Sequence, residues 1–83
     1  MDRARLVGIL RCPETMQTVR EATSEELQGM NRRILAGKIF SRKGVLRTHT
    51  LEGGLLRADA GLLFPVENGI PVMLIEEALI CVE

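Results

Sequence analysis

Apolar positions along this 83-residue chain change their spacing several times, and each change marks an element. Near the start, Leu6, Val7, Ile9 and Leu10 fall on one face of a short helix that Asp2 can cap. Gly8 weakens that helix, and Pro13 ends it by disfavouring helical geometry at Cys12. Residues 17–21 then read as a strand around Val19. A longer helix follows over 24–36. Thr23 and Glu26 have the spacing of a capping box, Ala22 can staple against Leu27, and Leu27, Met30, Ile34 and Leu35 recur at helical period. Gly37 supplies the C-terminal cap, and Arg32 and Arg33 suit the negative end of the helix dipole.

Beyond Gly37 the helical period is lost. Residues 38–41 and 45–50 flank Arg42-Lys43-Gly44 as the arms of a hairpin with weak alternation. Gly53-Gly54 breaks the chain before a strand at Leu55, Leu56 and Arg57. Asp59-Ala60-Gly61 reads as a tight turn, with Gly61 the residue able to take positive φ. Residues 62–66 and 70–75 are two apolar runs on either side of Asn68-Gly69, the strongest short-range hairpin signal. Pro65 and Pro71 limit ladder formation, so this unit is expected to present an incompletely paired edge. In the second run Ile70, Val72 and Leu74 should face one way, and Pro71, Met73 and Ile75 the other. Either one face meets a partner or both are buried within the domain.

Composition narrows the reading. A 46% hydrophobic and 27% charged chain of this length is a single folded domain, 1–83, with an aliphatic core, since Phe40 and Phe64 are its only aromatics. The fold class expected is α+β: a small antiparallel sheet, a short N-terminal helix, a longer helical insert at about 23–37 and a C-terminal β unit at 62–75. No apolar run approaches a membrane span or a signal peptide, and Cys12 and Cys81 read as reduced thiols of a cytoplasmic protein.

Net charge is zero but uneven. Arg32, Arg33, Lys38, Arg42, Lys43 and Arg47 fall in one block with no acid among them, which can bind an anion such as RNA phosphate or can simply be solvated. The block holds no aromatic for base stacking besides Phe40. His49 has no partner nearby in sequence, and a nucleophilic Cys12 would need it as a base, so a small buried residue is the default for Cys12. No phosphate loop, nucleophile elbow, metalloprotease helix or dinucleotide fingerprint occurs. The chain is therefore expected not to be an enzyme and to need no cofactor.

Two segments carry a family likeness. LVGILRCPET near the start and LLRADAGLLFPVENGIPVMLIEEA near the end resemble the small zinc-ribbon methyltransferase-activator family, which includes the Trm-type activator subunits and the short YcaR-like bacterial proteins. That family runs a short helix into CPxC, follows it with an insert and a second cysteine-bearing turn, and closes with a motif close to YPIRDGIPVML. Phe64, Pro65, Val66, Gly69, Ile70, Pro71, Val72, Met73 and Leu74 match the closing motif. The metal-ligand positions do not match. Cys12 is kept, while Thr15, Arg57 and Ala60 stand at the other three, so the resemblance implies a zinc-ribbon-derived fold that holds together without metal. It also implies a non-catalytic subunit that binds an S-adenosylmethionine-dependent methyltransferase by β-edge pairing and covers an apolar surface on it. The partner-facing residues would be Phe64, Pro65, Val66, Ile70, Pro71, Val72, Met73 and Leu74. Alternatives left open are an RNA- or anion-binding module using the basic block, and a domain that self-associates through the same edge as a homodimer.

Overall fold

The computed structural model describes residues 8–81. Its elements are β1 (Val19–Glu21), α1 (Ser24–Leu35), β2 (Gly53–Arg57), β3 (Leu62–Glu67), β4 (Ile70–Pro71), a single 3-10 turn at Ile75–Glu77, and β5 (Leu79–Ile80). The strands form one antiparallel sheet in the order β1-β2-β3-β4, and β5 pairs with the other half of β3. This is the small α+β domain the hydrophobic pattern predicts.

The helix forms as its sequence dictates. The Thr23 hydroxyl accepts from the Glu26 N–H at 3.2 Å, and the Glu26 carboxylate accepts from the Thr23 N–H at 2.8 Å, so two otherwise orphaned donors are satisfied reciprocally. At the other end Gly37 takes φ of +74°, its N–H bonding to the Ile34 carbonyl while Lys38 N–H reaches the Arg33 carbonyl. Those two bonds make a Schellman cap, which needs a residue without a Cβ penalty at Gly37. Met30 and Ile34 are buried, but Leu35 is 74% exposed and does not join the core. The apolar face of α1 is thus narrower than its sequence suggests.

The sheet has a core on each side because side chains alternate along paired strands. On one face Leu55, Leu62, Phe64 and Val66 pack with Cys12, Val19 and Ala78. On the other, Leu56 and Leu63 meet Met30 and Ile34 of α1, together with Ile39, Leu51 and Leu79. The pairing of Leu55 with Phe64 and of Leu56 with Leu63 fixes this assignment. A strand buried on both faces reads as an unbroken apolar run, which is what residues 62–66 are.

Several local expectations are corrected. Asp2, Leu6 and Val7 lie outside the described residues. Ile9, expected to face inward, is exposed, and the helical turn ends at Ile9 rather than running to Cys12. Gly53 and Gly54 do not break the chain but begin β2. A Cβ on Gly54 would stand 2.7 Å from Leu63 Cδ2, so glycine is required there by the close approach of β3. In the β2–β3 turn the left-handed residue is Ala60, at φ +59°, not Gly61. Residues 39–47 do turn back on themselves, with Gly44 at φ +86°, but only the bridge between Phe40 and Leu46 is ladder-like.

Candidate partner-binding edge

The Asn68-Gly69 turn closes the β3–β4 hairpin with both residues at positive φ, +53° and +76°, the conformation of a type I′ turn. Glu67 faces Ile70, and Val66 faces Pro71. One step further, Val72 N–H donates to the Pro65 carbonyl at 2.8 Å. Pro65 has no N–H to return to Val72, so the ladder stops there. The second arm therefore runs on through Met73 and Leu74 without pairing to β3, and β4 is two residues long.

This divides the eight residues expected to face a partner. Phe64, Pro65 and Val66 are buried in the sheet and offer no surface, which corrects that part of the expectation. Ile70 and Leu74 are 67% and 62% exposed, with Val72 half-buried between them. Met73 and Ile75 turn the other way and pack against the core around Phe64. The alternation thus holds, and its outward face is Ile70, Val72 and Leu74. Burying that face inside the domain is excluded by the exposure of its two ends. Strand geometry also turns the Pro71 carbonyl and the Met73 amide and carbonyl away from β3, where no backbone group of the described residues meets them.

The basic block does not form one patch. The Arg42 guanidinium grips the Glu14 carboxylate at 2.7 and 2.9 Å, Lys43 Nζ lies 3.0 Å from Glu77, and Arg47 Nη1 lies 3.0 Å from Glu67. These acids come from distant parts of the chain, which is why the block looked uncompensated in sequence. Arg33 donates to the Cys81 carbonyl at 3.1 Å, while Arg32 and Lys38 are exposed on and after α1. His49 is exposed beside Thr48 and borders an open cleft of about 350 Å³ that Arg47, Glu52 and Glu67 also line.

The four positions matched to metal ligands lie on two turns, at 12–16 and 57–61, joined through Arg57. Its Nη1 is 3.9 Å from Cys12 Sγ and 3.6 Å from Glu14, and its Nε and Nη2 hold the Asp59 carboxylate at 2.8 Å each. Asp59 also accepts from Gly61 N–H at 2.8 Å. Arg57 and then the Gly61 amide hold the Asp59 carboxyl below its usual range. Burial pushes the Cys12 thiol up, but donors from Thr15, Glu14 and Arg57 outweigh it and leave the pKa lowered. One thiol facing a guanidinium, with Thr15 and Ala60 at the remaining positions, does not fit a structural zinc ion, which needs four soft or imidazole donors. Among the described residues no three His, Cys, Asp or Glu side chains gather closely enough to hold a metal. Sequence reasoning missed this ion-paired joint, whose one legible signal was the Asp59-x-Gly61 spacing of a side-chain-to-backbone turn.

No described helix is long and apolar enough to cross a membrane. Neither family profiles nor curated proteins match the chain. Among solved structures it is similar to the solution NMR structure of XF2673 from Xylella fastidiosa. The TM-score is 0.76 and the identity 32%, over 96% of this chain and 81% of the other.

Proposed function

We propose that this chain, which belongs to the family of the Xylella fastidiosa protein XF2673, is a non-catalytic binding subunit that docks a protein partner along residues 70–74. The observation that carries the reading is the unpaired second arm, where Ile70 and Leu74 stand exposed on a strand that Pro65 prevents from pairing further. Apolar side chains beside free backbone donors and acceptors are the two elements of strand addition. The closing motif's resemblance to methyltransferase activators suggests the partner class: an S-adenosylmethionine-dependent methyltransferase, which would carry the cofactor itself. Pairing of Arg42, Lys43 and Arg47 with their own acids favours this reading over an anion-binding one.

Affinity capture from the native cell with wild-type protein and with Leu74→Asp, read by mass spectrometry, tests the proposal. A methyltransferase should co-purify with the wild type and be lost with the variant. Its retention by Leu74→Asp would remove the edge as the interface. A wild type that captures no methyltransferase but is dimeric, and becomes monomeric on substitution, would assign the edge to self-association. Leu74 is a better probe than Met73, because Met73 also packs on the core.

A further inference from the structure

Charge around the edge points to the character of the segment it accepts, and this inference rests on the docking reading above. From Ala58 to Glu83 the chain holds five acids and no base. Around the turn end of the edge stand two carboxylates, Glu52 and Glu67, against one cation, Arg47. Glu52 accepts from the Gly69 N–H at 3.1 Å, which fixes it beside the Asn68-Gly69 turn. Around the other end stand Glu76 and Glu77 against Lys43, and Lys43 is committed to Glu77 at 3.0 Å. Among the described residues each end therefore carries one carboxylate more than it has bases to neutralise it, with the apolar stripe between them.

We propose that the occupant is an extended segment of a partner protein with alternating apolar residues in the middle and basic residues at both ends. Such a strand would exchange hydrogen bonds with the Met73 amide and carbonyl and donate one N–H to the Pro71 carbonyl. Pro71 can only accept, so the incoming strand must present a donor there. Its lysines or arginines would lie near Glu52 and Glu76, some six residues apart along the edge, about 20 Å in extended chain. A second copy of this chain is a poorer match, because self-pairing brings two acidic β units together.

The probe is a blocked nonapeptide, lysine-arginine-valine-threonine-valine-threonine-valine-arginine-lysine, compared with the same peptide carrying glutamate at its four charged positions. Both are titrated into the full chain, followed by amide chemical shifts. The basic peptide should perturb the Val72, Met73 and Leu74 amides and bind about tenfold more tightly than the acidic one. Glu76→Lys should narrow that ratio, as should raising the salt. Equal affinity of both peptides at these amides would overturn the charge inference and leave edge docking standing. Failure of both peptides to perturb Val72–Leu74 would overturn edge docking and the charge inference together. A concentration-dependent shift of the same amides before any peptide is added would give the edge to a second copy and overturn the inference.

Discussion

The two arms of the Asn68-Gly69 hairpin are nearly interchangeable as sequence, yet they do different work. Each is a run of five apolar residues containing one proline, Leu62–Val66 on one side and Ile70–Leu74 on the other. The first lies between β2 on one edge and β4 and β5 on the other, and all five of its residues are buried. The second has a neighbour on one edge only, for two residues, and its outward side chains are exposed. Hydrophobicity does not separate them; the number of strands beside each does. The position of the proline matters as much. Pro65 turns its missing donor toward Val72, so a residue buried in the first arm sets the length of the second.

Truncation is the most severe way to break this comparison. Phe64→Ala empties the centre of one core and should cost about 3–5 kcal/mol, a large share of the stability of a domain this size. Urea denaturation should show a sharply lowered midpoint or a chain unfolded from the outset. Gly54→Ala attacks the first arm from β2, driving a methyl into Leu63, which is buried and cannot swing aside. A cost of about 1–3 kcal/mol is expected, measured in the same assay. Leu74→Asp probes the second arm and should change stability by no more than about 0.5 kcal/mol. Its effect should appear in partner capture instead, so a destabilisation matching Gly54→Ala would mean that the two arms are not distinct.

The smallest effect is titration, which sharpens the comparison by reporting on neither arm. Arg20 grips the Glu26 carboxylate bidentately, and with the Thr23 amide it lowers the Glu26 pKa from its ordinary 4.5 to about 2. A folded-state pKa below the unfolded value means the stabilisation is complete above about pH 4.5 and fades as pH falls toward 2. The pair is solvent-exposed, so the effect is small and shrinks with salt. Thermal melts from pH 5 to 2 should show a shallower loss for Glu26→Gln than for the wild type, and the melting slope of Leu74→Asp should match the wild type.

Local rules made much of the fold readable. The capping box, the Schellman glycine, the β3–β4 turn and the alternation of the second arm depend on residues within a few positions of one another, and each stands where the sequence put it. Apart from the exchange of Ala60 for Gly61 in the β2–β3 turn, what misled was a matter of distant neighbours. Leu35 has the right spacing for the core but nothing packs over it, and Gly54 looks like a breaker until Leu63 is placed opposite it. The basic block looked free because Glu14, Glu67 and Glu77 reach it from far along the chain.

By itself, then, the sequence determined the helix with its caps, the β3–β4 turn and the alternation of the second arm, because helix caps, turn dihedrals and strand alternation are short-range physics. Only the tertiary structure decided which apolar run is core and which is edge. It also decided which charges are spent internally, and that the two turns at Cys12 and Arg57 are held by ion pairs around a guanidinium. Burial and charge pairing are settled by the elements that pack alongside, and no local window of sequence contains them.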